Sequence, residues 1–167
     1  KDRLSTKYNV PYLYILEGIS PEAFKSAVLK AVAVHPYLNN RFALVDAEPV
    51  QMPGEERITV PLKKLKEEPD MSFFQNLVRP FDLLGECLSR FGVYSFEKKT
   101  YFFIDIHHSI YDGLYMTVLM QDILKAYKGE SLEPETVSSY DAALYEKDRL
   151  EKEASLSARA YFDAQLK

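Results

Sequence analysis

The sequence contains a single cysteine and only six glycines in 167 residues. Cys87 therefore has no partner for an internal disulfide or for a CxxC metal or redox motif, and we expect it to be a small core residue. The glycines form neither a GxGxxG sequence nor a P-loop, and the GxSxG motif of serine hydrolases is missing. A disulfide framework, a glycine-rich phosphate loop and a hydrolase-type serine nucleophile thus have no signature in this chain.

The sequence also lacks a long apolar run and a cluster of basic residues. No run approaches the roughly 20 apolar residues that cross a bilayer, and the opening KDRLSTKYN has no apolar centre of the kind found in signal peptides. The formal net charge is −4, and the basic residues are scattered along the chain. We therefore expect a soluble, cytoplasmic protein with no nucleic-acid partner and no membrane association.

The residues that are present predict one compact unit of mixed strands and helices. Apolar residues make up 47% of the chain and aromatic residues 13%, which is enough to bury one core. Runs of aromatic and β-branched residues predict strands, and apolar residues at helical spacing predict helices. The predicted strands span 10–17, 41–46, 57–61, 88–96 and 101–108; the helices span 21–35, 69–79, 113–127 and two segments within 139–166; the turns span 48–56 and 97–100.

Two adjacent histidines, His107 and His108, end the last predicted strand and precede the helix that begins at Gly113. In a strand, successive side chains point to opposite faces, so the two imidazoles cannot easily reach one metal ion. No HExxH spacing or nearby third histidine repairs this, because His35 is distant in the sequence. We therefore predict no metal site.

General base catalysis suits the same position. A neutral imidazole accepts a proton from an amine, hydroxyl or thiol near neutral pH. The positive end of a helix disfavours imidazolium, and its free N–H groups can face a developing oxyanion. Asp112 can cap that helix or take a basic partner, and Gly113 permits a backbone approach that a side chain would block. Ordinary packing or surface exposure of both histidines is the alternative interpretation.

The segment HHSIYDG fits the pattern HHxxxDG. With its surroundings, it resembles the condensation domains of nonribosomal peptide synthetases and related acyltransferases of the chloramphenicol acetyltransferase-like superfamily. Three further segments occur in the family's order: KYNVPYLYILEG at 7–18, HPYLNNRF at 35–42 and RPFDLLGECLSRFGVY at 79–94. The resemblance therefore extends over nearly the whole chain.

The resemblance implies an α/β fold, a two-layer sandwich of a mixed β-sheet with helices, as in the chloramphenicol acetyltransferase-like N-terminal lobe. It further implies that residues 1–167 are the N-terminal lobe of a condensation domain, truncated at both ends. The C-terminal lobe and the motif that usually precedes the opening strand are absent from the sequence. Because family members react in a tunnel between two lobes, we expect the isolated chain to be inactive.

The resemblance also implies the roles of the motif residues. His108 is expected to act on the acceptor amine, as a base or by positioning it, while a carrier-bound acyl or peptidyl thioester is transferred to form an amide bond. His107 is expected to be structural, Asp112 to hold the loop through an ion pair, and Gly113 to close the turn. Tyr111, inside the motif, is a candidate for lining a substrate channel, with core packing as the alternative. No cofactor is expected to be bound directly, because both substrates ride on phosphopantetheine arms. The implied partners are carrier-protein domains, the chain's own C-terminal lobe and neighbouring synthetase modules.

The family's second motif is altered in this chain. It commonly reads RHExLRTxF, whereas this chain reads VHPYLNNRF, so Val34 and Asn39 replace both arginines. The usual partner of Asp112 is therefore missing. The candidate substitutes are Arg41, Arg79 and Arg90. The change leaves open two alternatives, a noncatalytic lobe that docks carrier proteins and a stand-alone acyltransferase that uses coenzyme A.

Overall fold

The structure is a computed structural model that describes residues 5–55, 57–151 and 153–166. Contacts divide the chain into two units, Lys1–Pro134 and Glu135–Lys167. The first unit contains the β-sheets, and the second is helical. No helix within the described ranges is long and apolar enough to cross a membrane.

A mixed sheet forms the frame of the first unit. Its strands are β1 (Asn9–Glu17), β4 (Leu62–Lys64), β5 (Ser89–Phe96) and β6 (Lys99–His107), in the spatial order β1-β6-β5-β4. Strand β6 pairs antiparallel with both β1 and β5, whereas β4 pairs parallel with β5. The predicted hairpin of β5 and β6 is confirmed. Its position between two neighbours makes β6 a central strand, and all of its residues from 100 to 106 are buried.

Two helices cover one face of this sheet. Helices α1 (Pro21–Val34) and α3 (Gly113–Tyr127) pack against β5 and β6 and form the main core with them. Phe24 of α1 meets Phe102 of β6 edge to face, with ring centroids 5.2 Å apart. Complete burial of one such side chain stabilises the fold by about 1.5–3 kcal/mol. The sheet and this helix pair are the two layers that were predicted.

The opposite face of the sheet carries a smaller buried cluster. Helix α2 (Met71–Gln75) places Phe74 against Tyr94, Tyr101 and Phe103. This helix begins after Asp70, whose carboxylate accepts a hydrogen bond from the Phe73 N–H at 2.9 Å. It is shorter than the helix predicted over 69–79, because Asn76 and Leu77 form a turn and residues 78–82 have no regular secondary structure.

The two long helices begin and end where local signals place them. Ser20 caps α1 by accepting a hydrogen bond from the Ala23 N–H at 3.2 Å, and Pro21 occupies the first position. Helix α3 is followed by Gly129 with a φ of 84°, a conformation that favours glycine. These signals act within one or two turns, and the helices predicted over 21–35 and 113–127 are confirmed.

The turn predicted over 48–56 is wrong. These residues contain β3 (Glu48–Pro53), which pairs antiparallel with β2 (Asn40–Val45). The turn of this hairpin lies at Asp46 and Ala47, whose φ values of 50° and 65° give the left-handed conformation of a tight hairpin loop. Two prolines suggested a turn, but a proline is compatible with an edge strand.

The strand predicted over 57–61 is also misplaced. Strand β4 follows it at Leu62–Lys64 and pairs in parallel with Val93–Ser95 of β5. A parallel pairing between distant segments is a tertiary contact, and strand propensity alone does not locate it.

The second unit consists of helices α4 (Ser139–Glu151) and α5 (Glu153–Gln165). Ser138 and Asp141 cap the start of α4 reciprocally, because the Ser138 N–H donates to the Asp141 carboxylate at 2.9 Å and the Asp141 N–H donates to the Ser138 hydroxyl at 3.2 Å. The two helices predicted within 139–166 are thus confirmed.

Candidate active site at the paired histidines

The paired histidines lie where β6 gives way to a 3₁₀ turn. Strand β6 ends at His107, the turn spans His108–Ile110, and helix α3 begins at Gly113. The His107 N–H donates to the Leu88 carbonyl at 2.9 Å, and the His108 N–H donates to the Tyr8 carbonyl at 2.8 Å. The predicted strand included both histidines, and their different surroundings were expected from the alternation of side chains in it. In the structure, His107 is the last residue of β6 and His108 is the first residue of the 3₁₀ turn.

The His107 imidazole is partly buried between aromatic rings. Its centroid lies 5.9 Å from that of Phe81 and 6.0 Å from that of Tyr8. The Ser109 N–H donates to Nδ1 at 3.2 Å, and the Ser109 hydroxyl lies 2.7 Å from the same atom, so the neutral ring carries its proton on Nε2. Burial lowers the pKa of His107 below its usual 6.5, and the neighbouring charge of His108 lowers it further. Burial therefore favours the neutral form of His107, whose Nδ1 is bonded by Ser109.

The His108 imidazole, by contrast, is exposed. Its side chain has no hydrogen-bond partner among the residues that the structure describes. It follows the last paired residue of β6 and precedes the N-terminus of α3. Of the two histidines, His108 is the more exposed.

Asp112 caps α3 and does not form the predicted ion pair. Its Oδ1 accepts a hydrogen bond from the Leu114 N–H at 3.0 Å, and its side chain is exposed. Within residues 5–55, 57–151 and 153–166, no lysine or arginine forms a salt bridge with it. Solvent and the cap satisfy this carboxylate without a cation, and the capping alternative is therefore the correct one.

The three arginines proposed as partners of Asp112 lie together elsewhere. Arg41 pairs with Glu55 at 2.5 Å, and Arg90 pairs with Glu86 at 2.7 Å. Together with Arg79 they line a cleft of about 640 Å³ whose wall includes aromatic residues of β5 and β6. This cleft is assembled from segments far apart in the chain, so the sequence gives no signal that its arginines are neighbours.

Asp105, two residues before His107, is fully buried. Its Oδ2 accepts from the Asn9 side-chain amide at 2.8 Å and from Arg90 at 3.4 Å. Burial raises the pKa of Asp105, and the bond from Asn9 and the charge of Arg90 oppose this rise. It shares a face of β6 with His107, but its hydrogen bonds go to Asn9 and Arg90 and not to the imidazole. The alternation of side chains in a strand predicts that Asp105 and His107 share a face, but it does not predict that Asn9 and Arg90 bind Asp105.

Tyr111 is a core residue in this structure. Its side chain is 5% exposed, and its hydroxyl donates to that of Tyr12 at 3.2 Å. Burial raises its pKa strongly, and the bond to Tyr12 adds to the rise. In the described fold, Tyr111 is therefore part of the core and does not line an open channel.

Gly113 faces open space at the first position of α3. A Cβ placed on it would have no heavy atom of the described chain within 4 Å. Packing within the chain does not require a glycine here, so space remains next to the helix N-terminus.

The remaining polar candidates lie outside the motif. His35 is buried, and its Nε2 lies 3.1 Å from an Asp122 oxygen. Cys87 is half-buried, not fully enclosed as expected, and its thiol donates to the Leu38 carbonyl at 3.2 Å. Within the described part of the chain, no three His, Cys, Asp or Glu side chains are grouped so that they could hold a metal ion.

The comparison with protein families decides the assignment of the fold. The model of the condensation domain matches residues 2–167. The chain belongs to the condensation domain family. Tyrocidine synthase 3 of Brevibacillus parabrevis is 33% identical over 151 residues, which cover 88% of this chain and 2% of that protein. The condensation-domain chain thus spans a small part of a much longer relative.

Solved structures share the fold. The starter condensation domain of rhizomide synthetase RzmA matches with a TM-score of 0.81 and 18% identity over 97% of this chain and 43% of that one. The epimerization domain from the third module of tyrocidine synthetase B matches with a TM-score of 0.79 and 19% identity over 95% of this chain and 40% of that one. This chain therefore spans less than half of either structure, and one fold accommodates domains named for different reactions.

Proposed function

We propose that this chain is the N-terminal lobe of a condensation domain in a nonribosomal peptide synthetase, and that the complete domain transfers a carrier-bound acyl or peptidyl thioester to an acceptor amine. The observation that carries the proposal is the position of His108. In a chain of the condensation family, its imidazole is the exposed ring of HHSIYDG and stands beside the start of α3. The similarity to tyrocidine synthase 3 supports the proposal that the domain belongs to a peptide synthetase.

The proposed reaction forms one amide bond and breaks one thioester bond. The acceptor amine attacks the donor carbonyl carbon, the thiolate of the donor arm leaves, and the nitrogen loses a proton. His108 takes that proton or orients the amine for attack. The positive end of α3, with the Gly113 N–H among its first free donors, is suited to stabilise the oxyanion that develops on the carbonyl.

The substrates bring their own phosphopantetheine arms, and the chain is proposed to bind no cofactor directly. A C-terminal lobe completes the tunnel, and carrier domains deliver the two thioesters. The share of the solved domains that this chain spans, 43% and 40%, supports this division. The 167-residue chain alone is expected to show no turnover.

The test is His108→Ala in the complete domain, with a loaded donor carrier and a loaded acceptor carrier. We expect acyl transfer to fall by at least about 100-fold, because general base catalysis contributes about 10² to 10⁴. Stability should change by no more than about 0.5 kcal/mol, because the side chain is exposed. Lys98→Ala, at the opposite end of the same hairpin, is the control. Unchanged product formation by the His108 variant would refute the proposal.

A noncatalytic carrier-docking lobe is the second candidate. The exposed Asp112, which has no cation partner among the described residues, favours it, since the familiar motif has lost one of its ion pairs. This candidate predicts that the unaltered complete domain binds loaded carriers but forms no product.

The remaining alternative is a stand-alone acyltransferase. It predicts product formation when the donor is supplied as a coenzyme A thioester in a parallel assay.

A further inference from the structure

Arg90 is the centre of a hydrogen-bond network behind the paired histidines. It stands directly opposite Asp105 in the β5–β6 pairing, and its side chain is 13% exposed. Its Nη1 donates to the Arg79 carbonyl at 2.7 Å, and its Nη2 donates to the Pro80 carbonyl at 2.8 Å and to Glu86 at 2.7 Å. One guanidinium therefore holds two successive carbonyls against the sheet.

Asp105 supplies the buried counter-charge of this network. Its side chain is 0% exposed and accepts hydrogen bonds from both Asn9 and Arg90. The Asn9 amide also donates to the Arg79 carbonyl at 3.0 Å. Asp105 thus orients two donors that bind the same carbonyl oxygen. A buried carboxylate is costly without a cation and hydrogen-bond donors, and here Oδ2 has both, whereas Oδ1 has no hydrogen-bond partner among the described residues.

Phe81 connects this network to His107. The guanidinium carbon of Arg90 lies 3.7 Å from the centroid of the Phe81 ring, a close cation–π contact. The Phe81 ring meets the His107 ring edge-on, with an interplanar angle of 85°. Asn9 is the residue of β1 that pairs in register with His107. We call Asp105, Arg90, Asn9 and Phe81 the histidine clamp.

We propose that Asp105 and Arg90 are positioning residues, which hold Phe81 against His107 and thereby fix the direction in which the next residue, His108, presents its imidazole. The inference rests on the proposed function, in which His108 acts on the acceptor amine. A displacement of about 1 Å in a reacting group costs about 100-fold in rate, so the clamp affects the reaction without contacting a substrate.

The first experiment measures the proton NMR shifts of the His107 imidazole in the 167-residue chain, and so tests the clamp independently of catalysis. A ring edge-on to Phe81 experiences its ring current, so the imidazole protons of His107 should resonate away from their usual positions. Phe81→Leu defines the shift. Asp105→Asn and Arg90→Lys should move the His107 resonances toward the Phe81→Leu values. Lys99→Gln is the matched control on β6, since it removes only an exposed ion pair with Glu68. Resonances that stay in place in both clamp variants would overturn the inference.

The second experiment measures transfer by the complete domain. Asp105→Asn and Arg90→Lys should lower kcat by at least about tenfold and leave the KM for loaded carriers within about threefold, because orientation of the base changes while carrier binding does not. The Lys99→Gln control should keep both constants. A folded Asp105→Asn or Arg90→Lys domain with unchanged kcat refutes the positioning role.

The two experiments separate this inference from the proposed function. If neither polar variant folds, Phe81→Leu still gives the kinetic readout, and an unchanged kcat in that variant is equally decisive. A normal rate in the His108→Ala domain refutes the proposed function and, with it, the catalytic role of the clamp. Loss of activity in His108→Ala together with normal kcat in the clamp variants refutes only the clamp.

Discussion

The two ends of the HHSIYDG motif differ in how the chain holds them. At the strand end, Asp105 is fully buried and the His107 ring lies between Phe81 and Tyr8. At the helix end, Asp112 is exposed and bonds within its own helix, and Gly113 faces open space. The strand end is fixed by contacts from several strands and loops, whereas the side chain of Asp112 bonds within its own helix. His108, the proposed catalytic residue, thus lies between a buried support and an exposed helix end.

The largest effect is expected at the strand end, from Arg90→Met. The variant keeps a long unbranched side chain but leaves the Asp105 carboxylate buried without its cation. We expect the free energy of unfolding to fall by about 3–5 kcal/mol, as measured by urea denaturation at neutral pH. The double variant Arg90→Met/Asp105→Asn should recover part of the loss, because it no longer buries a charge. Equal stability of the single and double variants would contradict this account.

The same substitution has a defined pH dependence. Burial raises the pKa of Asp105 above its ordinary 3.8, so the folded protein binds this proton more tightly than the unfolded chain. The cost of losing Arg90 applies to the ionised carboxylate. The stability difference between the variant and the parent should therefore be largest at neutral pH and should shrink as the pH falls toward the folded-state pKa of Asp105 in the parent, which burial holds above 3.8.

A smaller effect is expected at the helix end, from Asp112→Ala. Loss of the cap should cost about 1 kcal/mol, with thermal or urea denaturation as the measurement. Asp112→Asn keeps an acceptor for the Leu114 N–H and should lose only about a few tenths of a kcal/mol, because the cap is preserved. Equal losses in the two variants would instead reveal a charge interaction at Asp112.

The smallest change in stability is expected from Gly113→Ala. The added methyl group meets no atom of the described chain, and alanine favours a helix, so stability should stay the same or rise by less than about 1 kcal/mol. Transfer by the complete domain should nevertheless fall, because the methyl group occupies the space through which a substrate is proposed to approach. Normal kinetics in this variant would show that the helix end is not approached.

Local signals predicted the elements on which the site stands, and long-range contacts account for the errors. The cap at Ser20, the proline at position 21 and the glycine at 129 each act on neighbouring residues, so α1 and α3 were predictable. Strand β4 is defined by its parallel partner, and the β2–β3 turn uses Asp46 and Ala47 where glycine or asparagine would have been the signal.

The pairing of Arg90 with Asp105 in the histidine clamp was predictable from the sequence, but the length of the β5–β6 turn was predicted wrongly. The hairpin was predicted with four turn residues at 97–100, whereas its turn is formed by Glu97 and Lys98, followed at once by β6. Counting outward from the two-residue turn places Arg90 opposite Asp105, as observed. Counting from the longer turn places Gly92 there. The ion pair was therefore missed because of a shift in register.

The chain separations within the histidine clamp have a consequence for the order of folding. Arg90 and Asp105 are 15 positions apart in a hairpin, whereas Asn9 and Asp105 are 96 positions apart. Closing the longer loop costs more conformational entropy, so contacts across it are expected to form later during folding. We expect the arginine contact to form with the hairpin and the asparagine contact to form last, when β1 docks. The support of His107 is then completed only after almost the whole first unit has assembled.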